Sequence, residues 1–440
     1  MTEGESEMKE LIAKTDNLGI ELPLSNNTAR LFEPLTVGEH TFENRFAVQP
    51  MEGCDCAHDG TPKELTLHRY LRFAAGGSGM LWFEANAVCE SGRANPRQMM
   101  LTEKNKDAFK RMVEDVKETG RKEGGVNTKL ILQATHSGRY SKPTGAAQPI
   151  IAYNNPLFEK EGPLDKSCII TDDELKRLEE CYAETARLAE EVGFDGVDIK
   201  CCHRYLVSEL LSAYNREGIY GGSFENRTRF LRNCYGAVKG AVTNKFLVTS
   251  RMNVYDGFPY PYGFGVEEGK GLDIHLEEPI ELIKILQKEY DLQLLNVSIG
   301  NPYVNPHVNR PYNQGPYAPE EAPLQGVARM MHCVGEIQKA FPDIAIVGSG
   351  FSYLKENSMY LAAGAVEQGV CAFAGFGRQN FAYPNFVQDI KEKGSMDGSK
   401  CCLACGKCTE LMRMGQVAGC VIRNTDYLSI YRKAREELAK

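Results

Sequence analysis

Eight short apolar runs recur along the chain, separated by charged segments with helical periodicity. They lie at 45–50 (RFAVQP), 80–88, 129–135, 196–200, 246–251, 293–298, 344–348 and 370–375. Most are apolar on both faces, as parallel strands covered by helices should be; a strand with one wet face would alternate. Between them, TDDELKRLEECYAETARLAEEVG (171–193) opens on Thr171 with an acidic first turn and closes on Gly193. The stretches 279–290 and 325–341 repeat the helical pattern. Eight strands alternating with helices mean a closed barrel or a doubly wound sheet. No strand–GxGxxG–helix unit is present, which disfavours the sheet. The expected fold is α/β, a (β/α)8 TIM barrel.

In such a barrel chemistry sits at the C-terminal ends of the strands. Here those ends carry Pro50-Met51-Glu52, Glu84-Ala85-Asn86, Gln133 to His136, Lys200 to Tyr205, Arg251 and Ser298 to Asn301. The last two ends, 348–350 and 375–378, are rich in glycine. They follow strands seven and eight, where backbone N–H groups commonly cradle a phosphate, and Arg378 adds a charge. Long Gly/Pro/Tyr-rich loops at 255–271 and 301–323 are expected to wall the pocket. A formal net charge of −8 argues against nucleic acid or an anionic membrane as partner. There is no apolar run long enough for a membrane span. The N-terminus lacks the basic start and apolar middle of a signal peptide, so a cytoplasmic location is expected.

Fifteen cysteines in a chain of this kind point to ligation rather than disulfides. Cys402-x2-Cys405-x2-Cys408-x11-Cys420 is the strongest local signal. Three closely spaced thiolates can wrap one corner of a [4Fe–4S] cluster and a distant fourth can close it. Zinc is the alternative, although its sites usually come as two separated CxxC pairs. Cys401 is an alternative first ligand.

The motifs LFEPLTVG, HRYLRFAAGGSGMLWFEANAV, LQATHSGR, YLVSELLS, YGGSFENRTRF and FGR follow in order from residue 31. They resemble the Old Yellow Enzyme family, especially its branch with 2,4-dienoyl-CoA reductase and trimethylamine dehydrogenase. The resemblance implies a non-covalently bound FMN. Pro50, Met51 and Ala85 should lie along the flavin, Gln133 at its pyrimidine edge and Arg251 near N1/O2. Gly350, Gly377 and Arg378 should hold the phosphate. It also implies a [4Fe–4S] cluster on Cys402, Cys405, Cys408 and Cys420. Tyr205 takes the place of the proton donor. His203, with Arg204 in place of a usual glycine, would polarise a substrate carbonyl, and Lys200 stands where the first donor is common. His136 is a further pocket candidate. Glu52 stands where trimethylamine dehydrogenase has its flavin-linking cysteine, so covalent attachment is not expected.

The expected organisation is a polar extension over 1–30, forming a surface helix or arm at an oligomer contact, an FMN-binding barrel over 31–395, and a cluster segment over 396–440. Dienoyl-CoA reductases continue into FAD and NAD(P) domains, whereas this sequence ends at residue 440. The expected electron source is therefore NAD(P)H directly or a partner such as a ferredoxin or flavoprotein. The activity implied is reduction of a small α,β-unsaturated carbonyl compound. The alternatives are an amine-type dehydrogenase passing electrons outward through the cluster, or a non-catalytic electron-transfer subunit.

Overall fold

A computed structural model of the chain describes residues 3–438. Eight parallel strands close into a barrel: β1 (Phe46–Val48), β2 (Met80–Ala87), β3 (Lys129–Thr135), β4 (Gly196–Ile199), β5 (Leu247–Tyr255), β6 (Leu294–Ile299), β7 (Ala345–Gly348) and β8 (Phe373–Phe376). Each pairs with its sequence neighbour, and β8 pairs with β1. Every strand is buried along nearly its whole length, which explains the two-sided apolar runs. The expected TIM barrel is therefore the observed one. Two strand bounds differ from expectation by more than two residues. β5 continues to Tyr255 because Met252 and Val254 stay buried, while the Asn253 side-chain amide between them donates to Asp256 and the Gly300 carbonyl. β8 begins at Phe373, so Val370 and Cys371 precede it.

The outer helices form where the sequence marks them. The helix Asp172–Glu191 starts with a capping box in which Thr171 and Glu174 exchange side-chain and backbone bonds; this satisfies N–H groups that the first turn leaves unpaired. The N-terminal helix Glu3–Asn17 precedes the barrel. A hairpin, Leu35–Val37 with His40–Phe42, pairs antiparallel ahead of β1. Val37 and Phe42 pack with Trp82, Ile131, Val347 and Phe373, and the Phe42 and Phe373 rings meet at 5.1 Å. Apolar side chains thus fill one end of the barrel, leaving a cavity at the end where the strands finish.

Register places the site residues in rows. Ala85 lies beside Gln133, and Gln133 beside Asp198. Arg251 lies beside Asn296. No described helix is long and apolar enough to cross a membrane.

Candidate active site

The C-terminal end of the barrel opens into a cavity that reaches solvent. Most of the residues singled out above line it: Pro50, Met51, Ala85, Gln133, His203, Tyr205, Arg251, Gly350, Gly377 and Arg378. Buried polar contacts build the floor. Asp198 accepts from Trp82 Nε1 and Gln133 Nε2, both at 2.7 Å, and from the Arg251 backbone N–H at 2.6 Å. It thereby fixes the Gln133 amide and the backbone of Arg251 together. Burial pushes its carboxyl up to about 6. Gln49 and Asn296 exchange side-chain bonds at 2.7 and 3.1 Å across the barrel. Gly375 must be a glycine, because a Cβ there would lie 2.5 Å from the Gly348 carbonyl oxygen on the neighbouring strand.

The turn after β4 aims the reactive side chains. Both His203 (φ 64°) and Arg204 (φ 60°) adopt left-handed backbone, a strained choice for two side-chain-bearing residues in succession. Arg204 offsets that strain. Its guanidinium donates to the Tyr153 hydroxyl at 3.0 Å, to the Tyr262 carbonyl at 2.9 Å and to Ser212, with Asp256 at 3.5 Å. The expectation that Arg204 faces substrate is therefore corrected. It is fully buried and does not line the cavity; its position in the turn directs it into the wall, where it anchors His203 and Tyr205. Lys200 stands in the cavity instead. Its Nζ lies 3.6 Å from the Tyr205 ring centroid, a cation–π contact. Neither His136 nor Cys54, Cys56, Cys201 or Cys202 lines the cavity. His136 is buried, and desolvation holds it down at about 4.

Tyr205 donates to Glu52 Oε1 at 3.3 Å and shares a 3.0 Å bond with the Tyr303 hydroxyl. Burial, reinforced by Glu52, holds its phenol well above the ordinary range, so it keeps its proton. His203 Nε2 lies 3.3 Å from the Asn309 amide nitrogen. Desolvation, then Arg251, Lys200 and Arg310, push its pKa well below the usual 6.5, so the ring is neutral. Arg251 keeps a buried Nε with no hydrogen-bond partner. The cavity thus joins a protonated phenol and a neutral imidazole to cations that face open space.

Glu52, Tyr303, Asn309, Arg310 and Arg413 also line the cavity and were missed as site residues. The loop 301–323 is expected as a wall, but no spacing within it singles out Tyr303, Asn309 or Arg310. The short helix Pro306–Asn309 brings Asn309 in.

Beside the cavity, Cys402, Cys405, Cys408 and Cys420 ring a second, smaller space together with Arg378 and Phe381. Among the described residues, no group of three or more His, Cys, Asp or Glu side chains is drawn together to hold a metal ion. Backbone N–H groups of Ala404 and Arg423 point at the sulfurs of Cys402 and Cys420, at 3.4 and 3.3 Å. Cys401 lies apart from this ring and contacts Gln379 and the Asp397 carbonyl.

A family model described as "NADH:flavin oxidoreductase / NADH oxidase family" matches residues 30–286. An NADPH dehydrogenase of Clostridium acetobutylicum is 28% identical over 275 residues, 62% of this chain and 74% of that one. Among solved structures, a 2-naphthoyl-CoA reductase in complex with 2-naphthoyl-CoA superposes with a TM-score of 0.74 at 19% identity. The match covers 92% of this chain but only 58% of that one. An old yellow enzyme homologue from Zymomonas mobilis gives a TM-score of 0.61 at 21% identity, covering 83% of this chain and 94% of that one. At these identities the superpositions speak to the fold.

Proposed function

Because the chain belongs to the NADH:flavin oxidoreductase / NADH oxidase family and is a flavin-dependent oxidoreductase, we propose that it is an FMN-dependent ene-reductase acting on α,β-unsaturated carbonyl compounds. The observation that carries this reading is the buried, protonated Tyr205 sharing one cavity with neutral His203 and Lys200. Bound FMN, reduced by NAD(P)H, would supply the hydride. The cavity suits such a group: Gln133 offers an amide fixed by Asp198, and Arg251 offers an unpartnered guanidinium nitrogen. Pro50, Met51 and Ala85 would flank the ring, and Gly350, Gly377 and Arg378 would take the phosphate.

The protein's own part is to hold and move protons. His203 and Lys200 orient the carbonyl oxygen, stabilising charge as it develops there. Tyr205 delivers a proton to the α-carbon. Its hydroxyl is recharged through Tyr303, a loop residue that is 38% exposed and joined to it at 3.0 Å. Tyr303→Phe should slow alkene reduction roughly three- to tenfold, the worth of one hydrogen bond. Stopped-flow reoxidation of the reduced enzyme by an enone, at unchanged FMN content, checks this. Steady-state assays of the FMN-loaded protein with enones and enoates test the wider reading; reduction of the enzyme by amines, with no alkene turned over, overturns it.

The segment 396–440 is proposed to carry a [4Fe–4S] cluster on Cys402, Cys405, Cys408 and Cys420. Four thiols lining one small space, with N–H groups aimed at two of the sulfurs, and the CxxCxxC spacing support this reading over zinc, whose sites usually come as two separated CxxC pairs. The separate placement of Cys401 favours Cys402 as the first ligand. Cys408 also lines the large cavity, which puts the thiol ring next to the proposed flavin site. Anaerobically prepared protein should contain about four irons per chain, and Cys405→Ser should lose them. Stoichiometric zinc without iron contradicts the assignment.

A further inference from the structure

Beneath the cavity floor, Asp198 is a wholly buried carboxylate with no part in the proton steps above. It makes no ion pair among the described residues. Its partners are three uncharged N–H groups: Trp82 Nε1 and Gln133 Nε2 on one oxygen, and the Arg251 main chain on the other. They come from β2, β3 and β5, so one side chain of β4 gathers the floor. An acceptor-only group fixes the polarity of the Gln133 amide, because it obliges Nε2 to face the floor. Asparagine would satisfy these donors only in part, since it has one acceptor oxygen and would set its own NH2 against an N–H. The carboxylate also leaves a negative charge in a dry place. The ionisable groups facing it are Arg251 on β5, Lys200, Cys201 and Cys202 in the turn after β4, and Tyr235 on the helix Phe224–Ala241. Burial pushes both thiols and the phenol up, so they stay neutral. Arg251 and Lys200 are the cations, and both line the cavity.

We propose, resting on the assignment of Gln133 and Arg251 to the flavin's pyrimidine edge, that Asp198 is a positioning residue whose charge keeps the bound flavin hard to reduce. The argument is electrostatic. A hydride from NAD(P)H brings two electrons and one proton, so reduction leaves one negative charge on the flavin ring unless a second proton follows from solvent. Arg251 compensates that charge. Asp198 already draws on the same guanidinium. Two anions then share one cation, and the reduced form gains less from it. Away from water the competition is weakly screened. A flavin that is harder to reduce gives its hydride up more readily, so the carboxylate favours the step onto the alkene over the step from NAD(P)H. Linkage makes the effect reciprocal: flavin reduction makes Asp198 easier to protonate. Its carboxyl sits at about 6, so the charge is present above that pH and fades as the pH falls through it.

The test is the midpoint potential of the flavin in the full chain loaded with FMN, read from flavin absorbance in an oxygen-free redox titration. At about pH 8, Asp198→Asn should shift the equilibrium towards reduced flavin roughly 10- to 100-fold, which for a two-electron couple is about 30 to 60 mV upward. The gap between variant and wild type should close as the pH falls through about 6. Trp82→Phe is the second variant, for the case in which the asparagine protein does not fold. Trp82 is the chain's single tryptophan and does not line the cavity. Removing its N–H takes one donor from Asp198, so the carboxyl is held ionised less firmly and the potential at neutral pH should rise by a smaller step. In the Asp198→Asn background the same change should add nothing. A potential that neither substitution moves, or that falls, overturns the proposal while FMN binding stands. Protein that binds no FMN overturns the flavin assignment of the floor and the proposal with it. No alkene enters the measurement, so its outcome is independent of the ene-reductase reading.

Discussion

Replacing Tyr205 by phenylalanine should slow alkene reduction by roughly 10²- to 10⁴-fold, the range for losing a positioned general acid. The substitution deletes one oxygen. It leaves the ring under which Lys200 Nζ rests at 3.6 Å, so the pocket keeps its shape. The hydroxyl is held protonated by burial and by Glu52. Reduction of the flavin by NAD(P)H needs no proton from the phenol, so that half-reaction should proceed at near wild-type rate. Rapid-mixing measurements of the two half-reactions check this. Equal slowing of both would mean that Tyr205 shapes the cavity rather than donating a proton.

The second large effect is on stability. Arg69→Met should destabilise the fold by about 3–5 kcal/mol, the usual penalty for removing one partner of a buried charge network. Arg69 is buried and pairs with both Asp55 and Glu84. Thr66 donates to Asp55 at 2.8 Å, and Tyr70 to Glu84 at 3.2 Å. Glu84 also accepts from the Gly53 backbone N–H at 2.8 Å, tying the network to the loop that presents Met51 and Glu52 to the cavity. Burial, opposed chiefly by Arg69, already sets the Glu84 carboxyl at about 7. Without the guanidinium, two carboxyls share a dry site with no cation between them. Loosening of the 50–56 loop should also weaken FMN binding. Chemical denaturation of the variant, with FMN titration at a temperature where it remains folded, measures both. A loss below about 1 kcal/mol would show that the network relaxes or admits water, since even a surface ion pair reaches that value.

The barrel was legible because its strands are buried on both faces. A chain that must satisfy eight such strands leaves eight apolar runs, and the helices between them leave caps such as Thr171 with Glu174. Residues at strand ends, including Gln133, Arg251 and Gly377, were legible because closure of the barrel fixes where its open end lies. Arg204 was misread because sequence shows adjacency to His203 but not backbone conformation. Two successive left-handed residues send neighbouring side chains to different environments. Tyr303, Asn309 and Arg310 left no signal, since a loop that folds back over a barrel has no periodicity to read. The four cysteines carried their own spacing, and it separated them from the other eleven.

The most direct test of the central claim is a single turnover. The FMN-loaded protein is reduced in the absence of oxygen with one equivalent of NAD(P)H, then mixed with cinnamate or an enone in deuterated water. The account predicts that the oxidised flavin spectrum returns with one equivalent of saturated product, which carries solvent deuterium at the α-carbon. A flavin that stays reduced in the presence of every unsaturated acid, ester and ketone tried, while oxygen reoxidises it at once, would contradict it.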